Sequence, residues 1–518
     1  MNPQETVANQ TVPLVELANG QALPQSAVPR LDMQRFQSVI LDAVANKNRV
    51  AALFGAPDRN HPDTLRLYVL LADDRNGRLK LASTVVTAEG FPSLTPRCPQ
   101  VHLFEREIAE QFGIKPHGHP WLKPVRFQRS YSSTLDAWDR PSGQALLPGV
   151  MDYYQIGGGQ AHEVAVGPIH AGIIEPGHFR FQCDGEIILH LEISLGYQHR
   201  GVERALIGGP DKRSLHYAET LAGDTTIGHT SAYAHILEAF AHCAISARAQ
   251  AIRAIALELE RLANHVGDLG ALSNDVGYLP TASFCGRIRG DFLNLTATIC
   301  GNRFGRGLVR PGGPGFDLDA AMVDDLLKRL DIAERESRSA INLLWDNSSV
   351  MARFESIGVV DTPTALELGM VGPAARACGV DIDTRRDQPC GIYRFAHIPV
   401  STWQGGDVFS RAYVRWLEIQ HAIDFIREQL HALPRGETRG TLPALQPDAI
   451  AVALIEAWRG ELCHVALTDS QGRFERYKVV DPSFHNWMGV AMAVRGRQIS
   501  DFPLCNKSFS LSYCGHDL

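Results

Sequence analysis

Hydrophobic and polar positions change their period along the chain and divide it into segments. Residues 1–30 carry Pro, Gln, Asn and Val without a period, which is typical of a loosely ordered arm. In 31–128, a helical pattern over 32–46 is followed by three strand-like runs and a further short helix. Residues 129–160 have the Ser, Pro and Gly content of a linker. The pattern therefore predicts a small α+β domain over 31–128 that is separate from the remainder, 161–518.

The remainder of the chain opens with a hairpin pattern and then becomes helical. Alternating apolar residues flank Asp184-Gly185, a dipeptide that favours a two-residue turn. A stripe of apolar residues from Ile245 to Val266 recurs at helical spacing, which indicates a long helix packed in a bundle. Other predicted elements are helices over 319–346 and 407–432, loops or a small sheet insertion over 373–405, and a hairpin around Ser470–Gly472. The predicted fold class is α+β, in which a small α+β domain precedes a large helical bundle with peripheral β-hairpins.

Composition narrows the functional class. The chain has 518 residues, of which 45% are hydrophobic and 21% charged, with a net charge of -7. This balance argues against a nucleic-acid-binding protein, which would carry a basic patch. We expect no transmembrane helix and no secretion signal, because the chain has no apolar run of about 18 residues and no basic, apolar start. The ten cysteines include no CxxC pair, so we expect most of them to be buried, reduced side chains.

Two stretches of the chain carry a resemblance to known proteins. The sequence FEREIAEQFGI at 104–114, with GHP at 118–120, resembles the signature of the small peripheral subunit of respiratory complex I. The sequence GNRFGRGLVRPGG at 301–313 resembles the RxxxxxxxRPGG signature that the quinone-site subunit of complex I shares with [NiFe] hydrogenase large subunits. Supporting matches are GPIH at 167–170, GYQHRGVER at 196–204, ELERLANHVGDLGAL at 258–272 and EAWRGE at 456–461.

The order of these motifs resembles a fused small and large subunit, as in the energy-converting group 4 hydrogenases that include formate hydrogenlyase and hydrogenase-4. The resemblance implies a peripheral position on the cytoplasmic face of the cell membrane. It implies an iron–sulfur small subunit that carries a [4Fe–4S] cluster as a partner, together with a ferredoxin-like subunit and channel-like and antiporter-like membrane subunits. No cofactor is expected on this chain alone, and no nucleic acid.

In this family, two cysteine pairs hold nickel and iron, because soft thiolates suit a redox-active nickel. One pair lies near the start of the helical bundle and the other near the C-terminus. The flanking residues His229 and Asp517 locate both pairs in this chain, and none of the four positions carries a thiol: Ala222, Thr225, Ser512 and Gly515. The resemblance is therefore strongest to hydrogenase-related chains that lack the nickel–iron ligands, and no bound metal is expected. Whether Cys505, Cys514 and His516 hold another metal stays open.

The quinone-site pattern of complex I is also incomplete. Its GPQHPxxH loop keeps one histidine, His170, whereas His178 is displaced from the position of the second. Gly223 and Gly305 stand where complex I has a tyrosine and a histidine. Asp275 does match the acidic residue that pairs with the second histidine. Both recognised active-site chemistries of the family are therefore missing residues.

Polar residues remain around the expected cavity. Buried carboxylates and imidazoles beside a redox centre have shifted pKa values and can relay protons. The family geometry would bring seven of them together as a proton-coupling site: His199, Arg200, Glu203, His229, Asp275, Arg310 and Asp517. A structural interpretation stays open for four of these. Arg200, Glu203 and Arg310 would then hold loops through ion pairs, and His229 would be a hydrogen-bonded core histidine.

Two functions are compatible with these features. The first is a subunit of an oxidoreductase complex that couples electron transfer through the iron–sulfur partner to ion movement. The second is a non-catalytic scaffold that holds the iron–sulfur subunit and the membrane arm together. A cavity that opens towards the cluster and keeps Asp275 charged would favour the first, whereas a cavity filled by Leu511 and Tyr513 would favour the second.

Overall fold

The structure is a computed structural model that describes residues 14–58, 61, 64–132, 135–141, 143–171 and 174–518. Within these ranges, no helix combines the length and the apolar character that a membrane span requires. The first elements are β1 (Val15–Leu17), β2 (Ala22–Pro24), α1 (Met33–Ala45), β3 (Arg49–Pro57), β4 (Thr64–Asp73), β5 (Arg78–Thr87), β6 (Phe91–Pro92), α2 (His102–Phe112) and β7 (Pro116–His117).

A small sheet and a run of helices come next along the chain. They are β8 (Ala161–Val166), β9 (His178–Asp184), β10 (Ile187–Ser194), α3 (Val202–Leu206), α4 (Ser214–Thr220), α5 (Thr226–Phe240), α6 (Ala247–Asp275), α7 (Leu279–Cys300), β11 (Val309–Arg310), β12 (Gly313–Pro314), α8 (Ala320–Trp345), α9 (Ser348–Phe354), α10 (Thr362–Glu367), α11 (Gly372–Arg376), α12 (Thr384–Asp387) and α13 (Val408–His431). The last elements are β13 (Ala449–Ala457), β14 (Gly460–Thr468), β15 (Phe474–Val480), α14 (Pro482–Val494), α15 (Phe502–Phe509) and α16 (Tyr513–Asp517).

The N-terminal part is an antiparallel sheet covered by helices. Its strands lie in the order β1-β5-β4-β3. α1 begins where the Asp32 carboxylate accepts a hydrogen bond from Arg35 N (2.8 Å), and it packs Phe36 and Ile40 into the core of this sheet. The predicted helix over 32–46 and the three predicted strands are confirmed, as is the α+β fold class.

The interpretation of residues 1–30 as a loosely ordered arm is wrong for the part that contains β1 and β2. β1 pairs with β5, whereas β2 pairs with β13 at the other end of the sequence. Asn19 lies between them, and its Nδ2 donates to Leu454 O (2.8 Å). Both strands have only three residues, too short for a period to show. Residues 1–13 lie outside the described part of the chain.

The predicted hairpin after residue 178 is confirmed as β9 and β10, with one irregularity. The pairing register shifts between Ile188 and His190. This bulge turns Ile188 into the core and leaves Ile187 and Leu189 at 40% and 36% exposure. A simple alternation over β10 would therefore place Ile187 and Leu189 on the wrong face.

Helices form the centre of the molecule. α6 packs against α7 and α13, and α8 packs against both of these partners. The stripe from Ile252 to Val266 is buried on α6, whereas Ile245 precedes the helix, which begins after its N-cap Ser246. The helices predicted over 319–346 and 407–432 are confirmed as α8 and α13. The sheet insertion considered for 373–405 is not found in that range, which contains short helices and loops instead.

A second four-stranded sheet, β15-β14-β13-β2, joins the two halves of the chain. Every residue of β13 and β14 is buried. One face of this sheet, including Ile450 and Val465, belongs to the same apolar core as α1, α2 and β3–β5. The other face, including Ala451 and Leu462, packs into the helical core. The division into domains at 31–128, 129–160 and 161–518 stays a prediction, and the hydrophobic core is continuous across it.

Candidate functional site

The two segments predicted to correspond to the ligand pairs of the family lie next to each other. One is the loop 222–225 before α5, and the other is the stretch 510–515 at the start of α16. Arg459, in the turn between β13 and β14, joins them. Its Nη1 donates to Asp224 Oδ1 (2.6 Å) and Thr225 Oγ1 (3.1 Å), and its Nε donates to Ser510 O (2.6 Å). One guanidinium group therefore bridges the two halves of the site.

The side chains at the four aligned positions do not fit a nickel–iron centre. Ala222 and Gly515 have no donor atom, and Ser512 Oγ accepts a hydrogen bond from Gly515 N (2.9 Å) as the N-cap of α16. A Cβ atom at Gly515 would lie 2.6 Å from Asp481 Oδ2, so a cysteine there would displace this carboxylate. Across the described residues, no group of three or more His, Cys, Asp or Glu side chains is arranged to hold a metal ion.

The neighbouring cysteines are thiols in this structure. Burial, together with the Glu175 carboxylate, raises the pKa of Cys514 to about 12, and burial raises the pKa of Cys505 to about 11. Because metals bind the thiolate, both side chains are poorly prepared for coordination at neutral pH. His516 is buried with its Nδ1 3.0 Å from Asp517 Oδ1, and its ring stacks on Phe484.

Behind the loop, four buried side chains form a continuous hydrogen-bonded chain. Tyr477 OH lies 2.9 Å from His464 Nδ1, His464 Nε2 lies 3.1 Å from His229 Nδ1, and His229 Nε2 lies 3.2 Å from Asp481 Oδ2. An ionised carboxylate only accepts hydrogen bonds, and a neutral imidazole has one donor and one acceptor. We therefore assign the Nε2–H tautomer to both histidines, with every donor directed towards Asp481. A hydrogen-bonded series of this kind can pass a proton from one end to the other, because the donor and acceptor of each hydrogen bond can exchange roles in turn.

The charges of this hydrogen-bonded chain follow from its surroundings. Burial alone would raise the pKa of Asp481, but the hydrogen bond from His229 and the charge of Arg459 lower it overall. Burial holds the pKa of His464 well below its usual value, so this imidazole is neutral. Asp481 is also the N-cap of α14, where Oδ1 accepts from Ser483 N (2.8 Å). The carboxylate is therefore fixed on both oxygens.

The C-terminal residues hold His199 and Arg200 beside this site. Asp517 accepts hydrogen bonds from Gly196 N (2.8 Å) and Gln198 N (2.9 Å), and its carbonyl oxygen lies 2.7 Å from His199 Nδ1. The guanidinium of Arg200 donates to Thr220 O (2.5 Å) and Leu221 O (2.9 Å), directly before the loop 222–225. Arg200 thus holds a loop by contacts with carbonyl groups and not with a carboxylate.

Glu203 belongs to a buried ion network that joins α3 to β15 and α2. Its carboxylate contacts Lys478 Nζ (3.2 Å) and Arg476 Nη2 (2.9 Å), and Lys478 also contacts Glu107 on α2 (2.6 Å). Burial opposes ionisation of Glu203, but these two cations and Arg126 lower its pKa well below the usual value. The ion network supports the position of β15, the strand that ends directly before Asp481.

Two of the seven predicted site residues have partners outside this group of seven. Asp275, at the end of α6, forms an ion pair with Lys507 of α15. Arg310 is exposed, and its Nε donates to Gly307 O (3.1 Å). Among the hydrogen bonds and ion pairs of the described residues, neither reaches His199, Arg200, Glu203, His229 or Asp517. The expectation that all seven side chains converge stays a prediction, and Asp275 and Arg310 have no described hydrogen bond or ion pair with the other five.

Sequence reasoning missed the residues that organise the site. Arg459, Asp481 and His464 come from a β-rich region that follows the helical bundle, and His229 meets Asp481 across 252 residues. Glu260 was also missed. Its two oxygens accept from Ile227 N (2.7 Å) and Gly228 N (3.1 Å) at the start of α5. The available signal was an acid inside the apolar run of α6, and the arginine in the EAWRGE match.

Comparisons with known proteins agree with this architecture. Residues 30–134 match the family described as respiratory-chain NADH dehydrogenase, 30 Kd subunit, and residues 275–449 match the 49 Kd subunit of the same enzyme. The chain is 32% identical over 345 residues to the carbon monoxide-induced hydrogenase of Rhodospirillum rubrum, covering 66% of this chain and 95% of that protein.

Two further relatives come from Escherichia coli (strain K12). Formate hydrogenlyase subunit 5 is 29% identical over 488 residues, which cover 90% of this chain and 84% of the relative. Hydrogenase-4 component G is 28% identical over 436 residues, with 82% of this chain and 75% of the relative covered. At 90% coverage, the similarity to formate hydrogenlyase subunit 5 reaches into the N-terminal sheet as well as the helical part.

Proposed function

Because the chain belongs to the family that unites hydrogenase large subunits with the 49 Kd subunit of respiratory-chain NADH dehydrogenase, we propose that it is the large subunit of a membrane-associated oxidoreductase complex that works without a nickel–iron centre. In this proposal it lies on the cytoplasmic face of the membrane. An iron–sulfur subunit, a ferredoxin-like subunit, and channel-like and antiporter-like subunits are its partners. The arrival of electrons at the partner's [4Fe–4S] cluster is coupled to ion movement.

One observation carries the proposal: the ligand positions are taken up by a fixed hydrogen-bonded arrangement. Arg459 bridges Thr225 and Ser510, and Asp481 lies where the side chain of residue 515 would have to extend. The directed chain from Tyr477 to Asp481 supplies groups that respond to a charge change by moving a proton. This series of hydrogen-bonded side chains is our candidate for the element that couples electron arrival to ion movement.

Metal analysis of the purified complex tests the first part of the proposal. We expect iron from the partner subunit without stoichiometric nickel, and no hydrogen uptake by the same sample. Stoichiometric nickel together with hydrogen uptake would contradict the proposal, because it would require ligands other than the four aligned positions.

The Asp481→Asn variant tests the coupling role. An asparagine can keep its oxygen on Ser483 N but presents an amide N–H to His229, which opposes the direction of the hydrogen-bonded chain. We expect the variant complex to assemble. Proton movement in membrane vesicles, driven by reduced methyl viologen, should slow by about 10²-fold, as for loss of a proton-transfer group. Asp407→Asn is the matched control, because Asp407 is also a buried N-cap, on α13, remote from this hydrogen-bonded chain.

A scaffold without a coupling role is the second candidate, and the packing of the C-terminus favours it. Leu511 and Tyr513 are 6% and 4% exposed, and both belong to the helical core. Asp275 is paired with Lys507. If Asp481→Asn leaves both assembly and viologen-driven proton movement unchanged, while deletion of the whole chain abolishes assembly, the scaffold is the correct function.

A further inference from the structure

A cavity of about 700 Å³ lies on the side of α5 that faces away from His229. One face of α5, one face of α6, residues 20–22 and the turn 390–395 form its walls. Glu238, one of its lining residues, is about 13 Å from His229 along the helix axis and on the opposite face. The volume is within the range of small-molecule sites, which is about 300–1,000 Å³. The cavity is therefore a separate site from the one described above.

The floor of the cavity contains a buried guanidinium with an unused donor. Arg253 is 5% exposed, and its two terminal nitrogens donate to the Glu238 carboxylate at 3.0 and 2.6 Å. Glu238 also accepts a hydrogen bond from Gly312 N (2.9 Å), so both of its carboxylate oxygens have donors within the protein. Among the described atoms, Arg253 Nε has no hydrogen-bond partner, and neither has Nδ1 of the adjacent His235. Both nitrogens are fully buried, so neither faces the open cavity.

The rim of the cavity is cationic and apolar. Arg394 is exposed, and its described hydrogen bonds go to the carbonyl oxygens of Pro389 (3.3 Å) and Asn19 (3.3 Å). Both acceptors are neutral, and none of the described ion pairs includes Arg394. Phe395, next to it, is 84% exposed, which is unusual for a phenylalanine. The walls between rim and floor include Ala254 and Leu257 of α6.

We propose that this cavity binds a small organic anion, with its carboxylate, sulfonate or phosphate group at Arg394 and its apolar body against α6. The guanidinium of Arg394 favours an anionic group, because the carboxylate among the lining residues, Glu238, is already bound by Arg253 and Gly312 N. The apolar walls and the exposed Phe395 favour a body of ring size. Binding at this site is independent of the coupling function proposed above.

Two dyes of the same shape test the proposal. The first is 8-anilinonaphthalene-1-sulfonate, and the second is N-phenyl-1-naphthylamine, which lacks the sulfonate. Fluorescence titration of the full chain should give saturable binding of one sulfonate dye. Arg394→Gln should weaken the affinity for the sulfonate dye by about tenfold or more, as expected for loss of a charge-assisted hydrogen bond. The affinity for the uncharged dye should stay the same. Arg353→Gln is the control, because Arg353 is also exposed and its only described ion pair, with Asp501, is long (3.8 Å).

A cavity-filling variant locates the dyes. Ala254→Phe should abolish binding of both dyes while the thermal unfolding midpoint shows that the protein still folds. The proposal is overturned if Arg394→Gln binds the sulfonate dye as tightly as the unmodified chain, if no saturable binding is found, or if a folded Ala254→Phe variant binds both dyes normally.

Discussion

At the scale of single residues, Gly515 is fitted closely to the carboxylate of Asp481. A Cβ atom at this position would lie 2.6 Å from Asp481 Oδ2 and 2.9 Å from Ser512 Oγ. Its backbone conformation is ordinary, so the constraint is one of space and not of φ. The absence of a side chain at residue 515 therefore keeps Asp481 in hydrogen-bond distance of His229.

Substituting Gly515 by alanine should destabilise the protein by about 1–3 kcal/mol, the usual cost of forcing extra volume into a packed site. Gly286→Ala is the control, because a Cβ there meets nothing within 4 Å and the residue lies inside α7. This control should gain about 0.5–1 kcal/mol from the better helix propensity of alanine. Urea unfolding measures both changes, and a Gly515→Ala variant as stable as the unmodified chain would show that the site is looser than described.

Glu260 gives a prediction on pH. Burial raises the pKa of Glu260 to about 8 from an ordinary value of 4.5, against the hydrogen bonds from Ile227 N and Gly228 N. Between these two pH values the folded chain holds a proton that the unfolded chain has lost, so this group makes stability fall as pH rises. In Glu260→Gln this contribution is absent.

The measurement is the urea midpoint of both proteins at about pH 5 and about pH 8, on either side of most of this titration. The unmodified chain should lose more stability between the two pH values than Glu260→Gln does. A constant offset from the amide group of glutamine cancels in that difference. Equal losses in the two proteins would mean that Glu260 is ionised across the whole range.

At the scale of elements, β13 shows that hydrophobic periodicity alone does not predict every strand. Its residues AIAVALIEA are apolar except for Glu456, because both faces are buried, one against each core. Such a run has no alternation and is compatible with a strand or a helix segment. The flanking hairpin β14–β15 was predicted because a Gly-containing turn separates two β-branched runs, whereas β13 and its partner β2 were not.

Leu454 in the centre of β13 should be among the most sensitive core positions. It is fully buried in the core beside β3–β5. Leu454→Ala should cost about 2–5 kcal/mol, as for other large-to-small changes in packed cores. Leu343→Ala is the matched control because Leu343 is 44% exposed, and it should change stability by less than about 0.5 kcal/mol. Similar effects of the two substitutions on urea unfolding would contradict a central position of β13.

At the scale of the whole molecule, the N-terminal part is held to the helical part by charge as well as by the shared core. Glu107 of α2 and Glu203 of α3 meet Lys478 of β15, whose side chain is fully buried. The sequence analysis placed Glu107 in one predicted domain, 31–128, and both Glu203 and Lys478 in another, 161–518. Their meeting depends on strand pairing over hundreds of residues, which no local pattern encodes, so the network could not be foreseen.

Removing the Lys478 cation from this network should strongly lower the free energy of unfolding. Lys478→Met leaves two buried carboxylates without their shared partner, which should cost about 3–5 kcal/mol. Arg338→Met is the control, because Arg338 is 54% exposed in an i,i+4 pair with Glu334, and such pairs contribute less than about 1 kcal/mol. If Lys478→Met unfolds at the same urea concentration as the control, the two parts of the chain are not coupled through these charges.

The pairing of β2 with β13 has a consequence for synthesis of the protein on the ribosome. Asn19 and Leu454, which hydrogen-bond beside this pairing, are 435 residues apart. At roughly 5–20 residues per second, the second partner leaves the ribosome about 20–90 s after the first. During that interval one face of the N-terminal sheet lacks its apolar cover. A chaperone that shields this face would therefore be needed early in translation, and its release would be timed by the emergence of the last sheet.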